Sequence, residues 1–152
     1  MTDKSAFTDD EWHALTEAPL LVTAADFAAG EHGPISMVKE ASASARAIAK
    51  PGPHGAANEL IGQIVADADS KEARHEMKEH RGPTIEAAID GALESLQPAA
   101  AALKKIDPVE AAEVAAWLLD IARAVAAAAK TVNPTEQATI ERITALFQVT
   151  SA

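Results

Sequence analysis

The sequence predicts an all-α fold: a compact bundle of seven or eight short helices in a single domain spanning 1–152. Three observations carry this expectation. Alanine dominates an apolar fraction of 48%. It has the best helix propensity and lets helix axes come close. The β-branched and aromatic runs that mark strands are missing, with two Trp, three Phe and no Tyr in the chain. Helix-start signals recur along the sequence at short intervals.

The first signal is Thr8-Asp9-Asp10-Glu11, a capping box in which Thr8 accepts from the Glu11 amide and Glu11 reaches back. Phe7 before the cap and Trp12 in the first turn form a hydrophobic staple. Pro19 restricts Ala18, which predicts a short first helix and a restart. Leu20, Leu21, Ala24, Ala25 and Ala28 give the second helix its apolar face, and Gly30 and Gly33 end it. Pro34 opens a third helix to about Ala49, with Ile35, Val38, Ala41, Ala45 and Ile48 on one side. Pro51-Gly52-Pro53-His54-Gly55 is a connection.

Leu60, Ile61, Ile64 and Val65 form the buried stripe of the next helix. Ser70 caps a largely polar stretch over 71–81, the most mobile helix expected. Thr84 caps a helix bearing Ile85, Ile89, Leu93 and Leu96. Pro98 restarts the chain for a short Ala-rich helix through Ile106. Asp107-Pro108-Val109-Glu110 launches the longest helix, to about Lys130. Val114, Trp117, Leu118, Ile121, Ala122 and Val125 line its buried face, and Glu113, Asp120 and Arg123 mark the other. Asn133-Pro134-Thr135-Glu136 starts the last helix, with Ile140, Ile143 and Phe147 buried. Residues 1–7 and 149–152 are expected to be loose ends.

Two parts of the chain share a plan, which suggests two pseudo-repeated helix pairs. In the first, an apolar helix carries Ala24-Ala25-Asp26, then Ile35-Ser36 leads into a helix with Glu40. In the second, an apolar helix is followed by Val132-Asn133-Pro134-Thr135-Glu136. The plan resembles the tellurite-resistance TerB-like helical family, over about a third of the chain. The resemblance implies an all-helical, stress-related and mostly non-enzymatic protein that binds divalent metal through acidic turns. Asp26 matches the acidic turn, although Gly30 comes four residues later. In the second copy Ala126-Ala127-Ala128-Ala129 stands where an Asp belongs.

Composition excludes several function classes. The formal net charge of −10 repels phosphate backbones and anionic headgroups, so neither nucleic acid nor a membrane surface is an expected partner. No cysteine is present, which removes disulfides, thiolate catalysis and cysteine zinc sites. The polar, acidic start has no signal-peptide pattern, and no stretch is apolar enough to insert in a bilayer. A cytoplasmic location is the default expectation.

The chemistry-bearing residues are few. Asp26, Glu31 and Glu40, with His32 among them, are the candidate ligands for a hard cation, Ca²⁺ or Mg²⁺, which takes several oxygens from a short loop. The alternative is that they are solvated loop acids. His75 and His80 are five apart, which on a helix turns the second ring away by ~140°. They therefore miss the four-residue spacing of a zincin. His75 and Glu79 are four apart and could make a surface metal contact. His13 and His54 have no evident partners. There is no nucleophile elbow and no phosphate loop. Trp12 and Trp117 read as core anchors, with a second role as pocket walls in view.

The leading expectation is a non-enzymatic helical protein that acts by binding a protein partner, a second copy of itself or a divalent metal. The alternatives are a small metal-assisted helical enzyme and a small-ligand carrier.

Overall fold

The structure, a computed structural model, describes residues 3–29, 43, 46–48, 57–68, 84–128 and 134–148. Among these residues every regular element is helical. A 3₁₀ turn at Lys4–Ala6 precedes α1 (Asp9–Ala29), α2 (Asn58–Ala68), α3 (Ile85–Leu103), α4 (Pro108–Ala128) and α5 (Pro134–Gln148). Ala43 and residues 46–48 are also helical. The all-α expectation is therefore met, but the described helices are fewer and longer than the seven or eight short ones the sequence suggests.

Two prolines account for part of the difference, and the helices expected over 34–49 and 71–81 lie mostly or wholly outside the described residues. The sequence reading breaks the chain at Pro19 and Pro98, yet both lie inside continuous helices, α1 and α3. An interior proline loses one backbone hydrogen bond and costs roughly 3 kcal/mol. Around Pro19 that cost is outweighed by burial. Leu15, Leu21 and Val22 are each at most 1% exposed, and each such side chain contributes about 1.5–3 kcal/mol. Pro98 is different, because it and Glu94 are both exposed. Water can serve the Glu94 carbonyl that Pro98 leaves without a donor, while Leu96, Ala99 and Leu103 hold the helix to the core.

Helix α1 is the hub. Among the described residues it packs against α2, α3, α4 and α5, most extensively against α3. Burial follows from this position: Trp12, Ala14, Leu15, Ala18, Leu21, Val22 and Ala25 are all buried. Both partners of the α1–α3 contact bury alanines, Ala14 and Ala18 on one side and Ala92 and Ala99 on the other. Small side chains let the two axes approach closely. Helix α5 closes the bundle against α1, α3 and α4, and an Arg142–Asp90 ion pair at 2.8 Å ties it to α3.

Among the described residues most of the predicted stripe positions are buried, while Leu20, Ala24 and Val65 are half-buried at the stripe edges. Leu60, Ile61 and Ile64 are buried on α2; Val114, Trp117, Leu118, Ile121, Ala122 and Val125 on α4; Ile140, Ile143 and Phe147 on α5. Trp117 is 1% exposed, and its indole N–H donates to the Ala47 carbonyl at 3.4 Å, which anchors residues 46–48 against α4.

Three predicted caps form. Thr8 N–H donates to Glu11 Oε1 at 2.9 Å and Glu11 N–H to Thr8 Oγ1 at 3.2 Å. The Ala87 amide donates to Thr84 Oγ1 at 3.0 Å, and the Val109 amide to Asp107 Oδ1 at 2.8 Å. The polar stretch 71–81 lies outside the described residues, as do 30–42, where the third helix is expected to open, and 129–133, and the pseudo-repeat rests on these segments. No described helix is long and apolar enough to cross a membrane.

Candidate functional site

The N-terminal turn is pinned to α2, and the pinning creates a groove. Asp3 caps the 3₁₀ turn by accepting from the amide and hydroxyl of Ser5. These bonds, the hydroxyl first, hold the Asp3 carboxyl below its ordinary value. The turn presents Lys4 to α2. There the Lys4 amide donates to Gln63 Oε1 at 2.9 Å, and Lys4 Nζ lies 3.4 Å from Asp67 Oδ2.

Trp12 stands at the centre of this contact. It lies in the first turn of α1, where the Phe7 staple meets it with ring centroids 5.9 Å apart at 37°. Its indole N–H donates to Asp67 Oδ2 at 2.7 Å. Lys4 Nζ lies over the indole, 5.6 Å from its centroid, within the range of a cation–π contact. Asp67 Oδ2 therefore accepts from both Trp12 and Lys4, and Oδ1 accepts no hydrogen bond from the described residues. Gln63, Ala66 and Asp67 reach the same side because residues three and four apart on a helix are neighbours.

Together these residues line an open groove of about 680 Å³, bounded by Asp3, Lys4, Phe7, Trp12, Ala66 and Asp67 among others. Its floor is aromatic. Among the described residues its rim holds three carboxylates, Asp3, Asp9 and Asp67, against one lysine. Trp12 is 6% exposed and lies under Lys4, so a planar or cationic group can stack on the indole where it takes the place of Lys4, while a carboxylate takes its hydrogen bonds.

Beside the groove, Lys105 Nζ donates to Glu11 Oε1 at 2.8 Å. This bond, with help from the Thr8 amide, lowers the Glu11 carboxyl from its ordinary 4.5 to about 2. The pair ties the loop after α3 to the start of α1, one residue before Trp12.

The residues singled out in the sequence fall elsewhere. Asp26 lies in the last turns of α1, but its side chain is not among those described, and Glu31, His32 and Glu40 lie outside the described residues. His54, His75, Glu79 and His80 also lie outside them. Among the described residues no group of three or more His, Asp or Glu is placed to hold a metal ion. His13 is surface-exposed and pairs with Glu17 at 3.1 Å.

Of the groove, sequence reasoning identifies the Phe7–Trp12 staple and Trp12 as a wall. It misses Lys4, Gln63 and Asp67. The available signal is Asp67 itself, seven residues after Leu60 and three after Ile64, which puts a carboxylate at the edge of the apolar stripe of α2. Nothing local indicates that a lysine 63 positions earlier meets it. No family model, curated protein or solved structure matches this chain.

Proposed function

We propose that this protein acts by binding a protein partner, without catalysis, and that the groove beside the N-terminal turn is the contact surface. The observation that carries the reading is the setting of Trp12. A Trp fixed through its N–H to Asp67 at 2.7 Å lines an open groove with a polar rim. Trp12 is only 6% exposed with Lys4 over its ring, so a partner reaches the indole by taking the place of Lys4, and an aromatic centre with a polar rim is the usual layout of a protein interface. The groove is open along one side, which favours side chains of a macromolecule over an enclosed small molecule. The absence of catalysis is argued from the sequence, which carries no complete catalytic motif.

Ala66 tests the reading, since it is exposed on α2 and lines the groove. Ala66→Arg places a bulky side chain there without disturbing the core. The immobilised full chain is expected to retain a partner that the Ala66→Arg chain loses, with an unchanged unfolding midpoint. Equal capture by both chains would overturn the groove as the contact surface.

A further inference from the structure

Resting on that reading, we infer that the groove takes an arginine side chain from a basic segment of the partner, and that Lys4 occupies the same place when the partner is absent. Lys4 already makes both contacts that such a cation would make. Its ammonium lies over Trp12 at 5.6 Å and beside Asp67 Oδ2 at 3.4 Å. Both are long for a strong interaction, and both side chains of the ion pair are well exposed, at 61% and 45%. An exposed pair of this kind contributes little.

A guanidinium suits the site better than an ammonium. It is planar, so it stacks on an indole, and its fork of donors matches a carboxylate in two places. Asp67 offers Oδ1, which takes no bond from the described residues, and Oδ2, where Lys4 can be replaced. The Trp12 bond to Oδ2 holds the carboxylate in orientation meanwhile.

The contacts that hold the turn carrying Lys4 to α2 are exposed ones, the Lys4 amide bond to Gln63 and the Lys4–Asp67 pair. None of the three residues of the turn is buried. Charge selects the partner. Among the described residues three carboxylates face one lysine at the rim, on a chain of net charge −10. That balance attracts a basic segment and repels a second copy of this chain.

The test is fluorescence polarisation at low salt on the full chain. The probes are a fluorescein-labelled peptide of alternating arginine and glycine and its lysine counterpart. Saturable binding is expected, tighter for the arginine peptide. Asp67→Asn is expected to weaken it about fivefold relative to Asp120→Asn, the size of a half-exposed ion pair. Lys4→Ala is expected to tighten it about twofold relative to Lys104→Ala, since a competing cation–π contact is lost. Asp120 and Lys104 are exposed and lie outside the groove lining, so the paired variants cancel the change in net charge. No saturable binding, equal affinity for the two peptides, or groove variants that match their controls would each overturn the inference. If Ala66→Arg abolishes partner capture while the arginine peptide fails to bind, the groove reading stands and only its arginine chemistry falls.

Discussion

Glu113 on α4 accepts a hydrogen bond from the amide of Ala57 at 2.7 Å, and so caps α2 from a helix more than fifty residues away in sequence. The first amides of a helix have no partner within it, and an anion at that end also meets the positive pole of the helix dipole. Ala57 is fully buried, so water cannot readily replace the carboxylate.

Glu113→Ala is therefore expected to destabilise the fold by about 1–3 kcal/mol, the cost of leaving a buried amide without its acceptor. Glu113→Gln keeps an acceptor and should lose less. Urea unfolding of the three chains measures the differences. Amide exchange should rise first at residues 57–61. If Glu113→Ala unfolds at the wild-type midpoint, α2 does not depend on this cap.

Pro98 supplies a test of opposite sign. It is exposed and interior to α3, so its ring contributes little burial while its missing N–H weakens the helix. Pro98→Ala is expected to raise stability by roughly 1–3 kcal/mol, up to the full helix-propensity difference. Pro19→Ala should gain less, because the Pro19 ring is buried and its loss leaves a void. Denaturant midpoints decide the order of the two variants.

These two prolines also mark where the sequence stopped being legible. Caps and apolar stripes are local and periodic, so Thr8, Thr84, Asp107 and the α4 stripe from Val114 to Val125 could be read directly. Whether a proline ends a helix is a contest between local backbone cost and tertiary burial, and the second quantity depends on what the helix packs against. The hub position of α1 settles that contest at Pro19, and no pattern within 9–29 reveals a hub. The same reason hid the groove. Trp12 was visible as an aromatic anchor, but its link to Asp67 spans 55 positions. Glu113 looked like a solvated acid because its partner, the Ala57 amide, carries no side-chain signal at all.

The cation proposal at Asp26, Glu31 and Glu40 has a separate test. A ligand at a hundred times its Kd stabilises the folded chain by about 2.7 kcal/mol. Ca²⁺ or Mg²⁺ added after chelator treatment is therefore expected to raise the unfolding midpoint, and Asp26→Ala or Glu40→Gln to abolish the rise. An unchanged midpoint with both ions leaves these acids as solvated surface charges. That outcome leaves the groove reading as it stands, since none of the described residues lining the groove belongs to this set.

Glu11 predicts a pH dependence whose sign is fixed by its partners. The Lys105 ammonium and the Thr8 amide stabilise the carboxylate only in the folded chain, which lowers Glu11 from 4.5 to about 2. Below that range both states are protonated, and above it both are ionised. The contribution to stability is thus fully present above about pH 4.5, where the unfolded chain ionises, and is lost as pH falls toward 2. Glu11→Gln should lower the urea midpoint at pH 7 and converge on the wild type near pH 2. Lys105→Met should behave in the same way, because it removes the larger cause of the shift. A gap between wild type and Glu11→Gln that persists unchanged at pH 2 would mean that Glu11 acts through packing rather than charge.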